Sequence, residues 1–213
     1  MQAPPCPFPA RTIHQGKSVR LEPLSTAHTA DLWSAAQGGD ESWRYLRYGP
    51  FANEAAMAQQ IERMAVMEEQ IFFAVLPLPR AVAMGWVSFC DIAPEYGAIE
   101  IGSIWYAPAL QRTKASTESS CLLMRHAFED LKYQRLVWRC NAQNQASARA
   151  AERLGFIYEG TWRSAYISKG GRADWRWYSM LANEWPINKL QLEDWLDERN
   201  FDSSGRAFKK LRS

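Results

Sequence analysis

Apolar and polar positions change their spacing several times along the chain, and each change predicts an element. Residues 19–24 alternate, which predicts a first strand, and a helix follows from Ser25 or Thr26 to about Gln37. A second helix is predicted after Asn53, because apolar side chains recur there at helical spacing, at Met57, Ile61, Met64 and Met67.

The rest of the chain alternates between strands and helices. Strands are predicted over 71–78, 81–92, 98–106, 136–140, 156–168 and 175–181, the first two forming a hairpin. Helices are predicted over 115–131, from Asn144 or Ser147 to Leu154 with Gly155 as the C-terminal cap, and over 189–198. Because strands precede, separate and follow the helices, the pattern predicts a mixed α/β or α+β domain.

Composition limits the class of protein. The 213 residues suit one domain, and a net charge of +2 from 25 basic and 23 acidic residues argues against nucleic acid as a main partner. The three histidines lack the spacing of metal ligands and the cysteines are far apart, so no metal is predicted; the cysteines are Cys6, Cys90, Cys121 and Cys140. No apolar run reaches transmembrane length, so we predict no membrane partner and a cytoplasmic location.

The segment over residues 99–120 carries the strongest chemical signal. An apolar strand is stopped by Pro108, a short basic turn follows, and polar residues then begin an amphipathic helix. The N-terminus of a helix presents backbone N–H groups, and here Arg112 and Lys114 add positive charge beside them. This arrangement is typical of a site for an anion such as a pyrophosphate.

Short motifs along the chain follow the order and spacing of one superfamily. They are Val19-Arg20-Leu21-Glu22-Pro23-Leu24, Ile99-Glu100-Ile101-Gly102, Pro108, Thr117-Glu118, Asn144-x-x-Ser147, Leu154-Gly155-Phe156, Glu159-Gly160, Arg163 and Lys169-Gly170. From Val19 to about Glu184 the chain therefore resembles the GNAT superfamily of acetyl-CoA-dependent N-acetyltransferases. Within it, the chain is most similar to the RimJ/RimL-like branch, that of the ribosomal-protein N-terminal acetyltransferases.

The resemblance implies a fold and a donor. The fold is a central, mixed, mostly antiparallel twisted sheet flanked by helices over residues 17–185, with 1–16 as an irregular arm and 186–213 as a C-terminal helical extension. The donor is acetyl-CoA. The resemblance implies that the donor is held by backbone at Trp105 and Tyr106, by Asn144, and by the turn Gln111, Arg112, Thr113, Lys114, Ala115, Ser116 and Thr117.

This turn departs from the family's pattern, because Lys114 stands at the first glycine and Ser116 at the second small position. Glycine is used where backbone must approach phosphate or take a positive φ. Lys114 therefore either avoids a positive φ or carries strain, and its charge, with that of Arg112, offsets the lost contact. The alternative interpretation is a surface turn with Ser116 or Thr117 as the N-cap.

Glu100 and Ser147 are the candidates for proton transfer. Glu100 lies on an otherwise apolar strand, so it is either the general base or a structural acid paired with an arginine. The resemblance implies that Ser147 donates to the departing thiolate, since the tyrosine that many relatives use falls at Ala151. The alternative for Ser147 and Asn144 is that they only cap a helix.

Four aromatic residues are the candidates for the acceptor site, by their positions in the resemblance, with packing in the core as the alternative. They are Trp33, Trp43, Tyr48 and Tyr166.

These assignments predict direct transfer of an acetyl group from acetyl-CoA to a primary amine, either a protein N-terminus or a small molecule. An α-amine with a pKa near 8 needs only a modest base, since about one molecule in ten is neutral at pH 7. The alternative is a CoA-binding sensor or scaffold with weak or no transfer activity. The identity of the acceptor and the oligomeric state stay open, with a homodimer as one alternative.

We expect Lys114→Gly to weaken the binding of acetyl-CoA, because the substitution removes one of the two cations beside the predicted pyrophosphate site. Isothermal titration calorimetry with acetyl-CoA measures the change. An unchanged dissociation constant would mean that the charge of Lys114 does not hold the pyrophosphate.

Overall fold

The structure, a computed structural model, describes residues 4–212, so residues 1–3 of the predicted arm lie outside the described residues. Over this range the chain forms eight strands: β1 (His14–Gln15), β2 (Val19–Pro23), β3 (Ile71–Pro77), β4 (Gly85–Ala93), β5 (Ala98–Tyr106), β6 (Arg135–Asn141), β7 (Ile157–Ser168) and β8 (Gly171–Leu181). The α-helices are α1 (Thr29–Ala36), α2 (Glu54–Ala65), α3 (Lys114–Arg125), α4 (Gln145–Leu154) and α5 (Trp185–Leu196).

The chain divides into two compact units. Within the described residues, the N-terminal unit consists of Phe8–Ile92 and Ile101–Leu123, and the C-terminal unit of residues 4–7, Ala93–Glu100 and residues 124–212. The strand order is β1-β2-β3-β4-β5 in the N-terminal unit and β5-β6-β8-β7 in the C-terminal unit. Strand β5 therefore contributes residues to both units.

Strand directions agree with the predicted fold class. β5 and β6 run parallel, whereas β1 to β3 pair antiparallel with their successors, as β6 and β7 do with β8. The prediction of a mixed, mostly antiparallel sheet in an α/β fold is therefore confirmed. The predicted domain boundaries at residues 17 and 185 stay a prediction.

Tryptophans form the centre of the core in the N-terminal unit. Trp43 is 1 % exposed and stacks on Trp105 with ring centroids 4.2 Å apart, and the Trp86 ring lies 5.5 Å from that of Trp43. Helix α2 is capped by Asn53, whose Oδ1 accepts the N–H of Ala56 at 2.9 Å. As its spacing predicts, α2 contributes buried side chains to this core, namely Met57, Ile61 and Met64.

Helix α4 belongs to the C-terminal unit and has the ends that the sequence predicts. Asn144 is its N-cap, and Gly155 ends it with a φ of 100°, a left-handed conformation that glycine adopts without strain. On β6, Trp138 is 5 % exposed and packs on Phe156 with ring centroids 5.7 Å apart.

The predicted arm contains a short strand. His14–Gln15 forms β1 and pairs with β2, and the His14 ring packs edge-on against Phe73 with centroids 5.1 Å apart. The prediction of an irregular segment up to residue 16 misses this strand, because two residues are too few to show a period and the pairing depends on distant contacts.

Other element starts also differ from their predictions: β8 begins at Gly171 rather than at residue 175, and α1 begins at Thr29, after a 3-10 helix over Thr26–His28. β4 begins at Gly85 rather than at residue 81, since Ala81 has a φ of 53°, which no extended strand allows. α5 begins at Trp185 rather than at residue 189, because Pro186 is favourable in the first turn of a helix. Among the described residues, no helix is both long and apolar enough to cross a membrane.

We expect Trp43→Ala to lower the free energy of unfolding by about 3–5 kcal/mol, the usual effect of removing a large buried aromatic side chain. Tyr96, which is 79 % exposed, provides the control, and Tyr96→Ala should change stability by less than about 0.5 kcal/mol. Chemical denaturation of both variants measures the difference. Equal, small losses would show that Trp43 does not support the core.

Candidate active site

β5 ends in a tight turn at Pro108. The carbonyl of Ala107 accepts hydrogen bonds from the N–H groups of Leu110, at 2.8 Å, and Gln111, at 3.2 Å. The side chain of Gln111 donates back to the carbonyl of Tyr106 at 3.0 Å. These bonds reverse the chain immediately before α3.

Thr113 caps the first turn of α3. Its Oγ1 accepts the N–H of Ser116 at 3.2 Å, and its carbonyl accepts the N–H of Thr117 at 3.4 Å. The alternative of an N-cap at Ser116 or Thr117 is therefore wrong: α3 begins at Lys114, so both residues lie inside the helix. Their hydroxyl groups donate to the Thr113 carbonyl, at 2.9 and 3.3 Å.

Arg112, and not Lys114, has the left-handed backbone conformation in this turn, with a φ of 64°. Lys114 is the first residue of α3 and avoids a positive φ, which is the first of the two alternatives that the sequence left open. The turn therefore reaches the helix without glycine. The N–H groups of the first helical turn point out of its N-terminal end, beside these two cationic residues in sequence.

Trp105 and Tyr106 form the end of β5 that precedes this turn. The Trp105 indole donates to Ser42 Oγ at 3.0 Å, in the core of the N-terminal unit. The Tyr106 hydroxyl forms a 2.8 Å hydrogen bond with Ser119 Oγ and donates to the Ser116 carbonyl at 3.3 Å. The two contacts of Tyr106 fix the end of β5 against α3.

Glu100 belongs to the C-terminal unit and forms an ion pair there. It is 5 % exposed, and its Oε2 lies 2.5 Å from Nε of Arg139 on β6. The parallel register explains the contact, because Glu100 pairs with Val137, and Arg139 follows on the same face of β6. The Arg139 guanidinium also lies over two indole rings, 4.7 Å from that of Trp177 and 5.4 Å from that of Trp175.

This ion pair corresponds to the alternative in which Glu100 is a structural acid. The partner, Arg139, is a functional candidate that is not among the site residues predicted from the sequence. Its signal is a single charged residue among the apolar residues of 136–140, at the position where the strand pairs with the Glu100 strand. This signal identifies Arg139 as the partner of Glu100 only once the register of β5 on β6 is known.

Ser147 lies in the first turn of α4. Its N–H donates to Asn144 Oδ1 at 3.1 Å, which is the capping role for Asn144, and its Oγ accepts the indole N–H of Trp138 at 3.0 Å. Because an indole N–H is only a donor, Ser147 is the acceptor in this bond and keeps its own proton for another acceptor. Burial raises the pKa of the nearby Cys140 thiol. A hydrogen bond with Ser147 lowers that pKa, but its effect is smaller than that of burial.

Three of the four aromatic candidates for the acceptor site lie together in the N-terminal unit. Trp43 is part of the core described above, and Tyr48 accepts the indole N–H of Trp86 at 3.1 Å. Burial is the main cause of the raised pKa of Tyr48. A small pocket of about 50 Å³ is lined by Trp33, Gln37, Asp40, Trp43, Phe51 and Met57, among others.

The fourth candidate, Tyr166, is in the C-terminal unit. Its ring stacks on Trp175 with centroids 4.0 Å apart, and its hydroxyl accepts a hydrogen bond from Asn141 Nδ2 at 2.8 Å. Tyr166 therefore joins the aromatic residues next to Arg139. Across residues 4–212, no group of three or more His, Cys, Asp or Glu side chains is placed to hold a metal ion.

Comparisons with known proteins agree with this geometry. The family model described as "Acetyltransferase (GNAT) domain" matches residues 18–157. A solved GCN5-related N-acetyltransferase from Brucella melitensis is 36 % identical, with a TM-score of 0.95 over 98 % of this chain and 96 % of that one. A probable acetyltransferase of the GNAT family from Chromobacterium violaceum is also 36 % identical, with a TM-score of 0.80 over 85 % of this chain and 92 % of that one.

One curated relative carries a more specific name. The "Putative ribosomal N-acetyltransferase YdaF" of Bacillus subtilis (strain 168) is 30 % identical over 105 residues. The alignment spans 49 % of this chain and 57 % of that relative, which is less than two thirds of its length.

The chain belongs to the GNAT acetyltransferase family, since the family model covers more than half of it. The predictions of the family, of its fold and of an acetyl-CoA-dependent N-acetyltransferase are confirmed at this level. The roles of individual site residues stay predictions.

We expect Arg139→Met to lower the free energy of unfolding by about 3–5 kcal/mol, because the change leaves the Glu100 carboxylate buried without its cation. Glu100→Gln combined with Arg139→Met should be clearly more stable than Arg139→Met alone, since it removes both charges. Denaturation of the two single variants and the double variant measures the coupling. Additive losses would contradict a structural ion pair.

Proposed function

We propose that this protein transfers the acetyl group of acetyl-CoA to the α-amine of a protein or peptide N-terminus. The observation that carries the proposal is the ion pair between Glu100 and Arg139. Protonating Glu100 would leave a largely buried guanidinium without compensation, which is unfavourable. The carboxylate is therefore a poor acceptor for a proton. An acceptor amine that loses its proton without a strong base suits such a site.

The pKa of the acceptor amine decides whether a base in the protein must remove its proton. About one α-amine in ten is neutral at pH 7, against roughly one lysine side chain in a few thousand. A site without a strong base therefore favours an N-terminus over a lysine. The name of the Bacillus subtilis relative, which describes a ribosomal N-acetyltransferase, supports a protein as the acceptor.

On the donor side, we assign the pyrophosphate to the N-terminal end of α3, with Arg112 and Lys114 as its cations. The hydroxyl and N–H groups of Ser116 and Thr117 all donate to Thr113, so the contribution of these two residues would be to hold the turn in place. The other predicted donor contacts stay proposals: Trp105, Tyr106, Gln111, Thr113, Ala115 and Asn144.

The transfer forms a bond between the amine nitrogen and the acetyl carbon and breaks the bond from that carbon to sulfur. The amine loses a proton, which we assign to water, and the thiolate gains one. Ser147 is our candidate for donating to the thiolate, because the Trp138 indole leaves the serine proton available. The residues predicted to line the acceptor site stay predictions; they are Trp33, Trp43, Tyr48 and Tyr166. A homodimer and a cytoplasmic location also stay predictions.

We expect the purified protein to release CoA thiol with a peptide that has a free N-terminus, and far more slowly with an Nα-acetylated peptide that contains lysine. Ser147→Ala should lower kcat by about 100-fold, the lower range for losing a general acid, with little change in the KM for acetyl-CoA. Ser203→Ala, at an exposed serine, is the matched control and should keep full activity.

A thermal-shift measurement with acetyl-CoA separates the remaining outcomes. Strong stabilisation without turnover on any amine would favour the CoA-binding module over the enzyme. Equal turnover of both peptides at pH 7 would contradict the choice of an α-amine.

A further inference from the structure

Glu118, in the second turn of α3, accepts three hydrogen bonds from a distant segment. Its Oε1 accepts the N–H of Lys17 at 2.8 Å, and its Oε2 accepts the N–H and the hydroxyl of Ser18 at 2.6 and 2.5 Å. The side chain is also buried, since Glu118 is 8 % exposed. A carboxylate that accepts several hydrogen bonds is a strong anchor, because bonds to a charged group contribute about 1.5–3 kcal/mol each.

The donors belong to the turn over residues 16–18, which joins β1 to β2. Gly16 shows how closely this turn approaches α3, because a Cβ at that position would lie 2.8 Å from the carboxylate carbon of Glu118. The same turn is closed by the N–H of Gly16, which donates to the Val19 carbonyl at 2.9 Å. α3 is therefore anchored to the β1–β2 turn without room for an additional methyl group.

The anchor acts near the end of the helix that carries the donor turn. Glu118 is four residues after Lys114, so it is one helical turn from the N-terminal end of α3. The Tyr106 hydroxyl holds the same region from β5 through Ser119. The two contacts, from the β1–β2 turn and from β5, fix the position and the direction of the N-terminal end of α3.

We propose that Glu118 is a positioning residue for the pyrophosphate of the donor, a proposal that rests on the proposed function. It acts through the position of α3 and does not touch the donor. Its loss should therefore weaken the binding of donors that carry a pyrophosphate and spare those that lack one. A residue that only stabilises the fold would affect both kinds of donor equally.

The test compares acetyl-CoA with S-acetylpantetheine, which has the same thioester and no pyrophosphate. For Glu118→Gln we expect the KM for acetyl-CoA to rise about tenfold, the equivalent of one weakened charge-assisted hydrogen bond, at a similar kcat. The kcat/KM for S-acetylpantetheine should stay within about twofold of the wild-type value. Glu54→Gln, at an exposed glutamate in the first turn of α2, is the matched control and should change neither donor.

Gly16→Ala tests the same contact from the other side, because its methyl group would meet the Glu118 carboxylate. We expect the same loss for acetyl-CoA alone. If Glu118→Gln fails to fold, Ser18→Ala removes one of the three hydrogen bonds and should give a smaller, equally selective effect.

Binding provides a readout that does not depend on turnover. Calorimetry of CoA and of pantetheine with each variant should show weaker binding of CoA only. Equal losses for the two ligands, or no loss for CoA, would overturn the positioning role. A wild-type protein that binds CoA and acetylates no amine would overturn the proposed function, while the comparison of the two ligands would still decide the role of Glu118.

Discussion

The ion pair between Glu100 and Arg139 is the interaction on which the proposed function depends. A carboxylate on a buried strand requires a partner, and the parallel register of β5 and β6 supplies a guanidinium. The same guanidinium lies over the rings of Trp175 and Trp177. This unit therefore presents an ion pair beside aromatic rings, and the proposal of a weakly basic acceptor amine rests on that ion pair.

The candidates for donor binding and for proton transfer are divided between the two units, and β5 is the strand that carries some of each. Glu100 lies in its first half, and Trp105 and Tyr106 lie at its end. Beyond that end, α3 depends on a cap from Thr113 and on the anchor at Glu118. The N-terminal end of α3 is thus held by side-chain contacts both before the helix and in its second turn.

Elements with strong local signals could be predicted from the sequence. β5 has the predicted bounds Ala98–Tyr106, and the ends of α4 follow from the capping preferences of Asn144 and Gly155. Features set by distant contacts could not be predicted. The two-residue strand β1 has no local signal, and the lone charge of Arg139 on an apolar strand does not identify Glu100 as its partner, because both pairings depend on the register between strands.

The backbone at Arg112 shows how the turn proposed to bind the pyrophosphate is formed without glycine. A left-handed conformation costs a non-glycine residue about 1 kcal/mol, and here it is adopted by a residue that also contributes a guanidinium. Strain in the free protein and attraction for an anion are thus combined at one position. A motif defined by glycine alone overlooks such a turn, because a residue other than glycine takes the positive φ here.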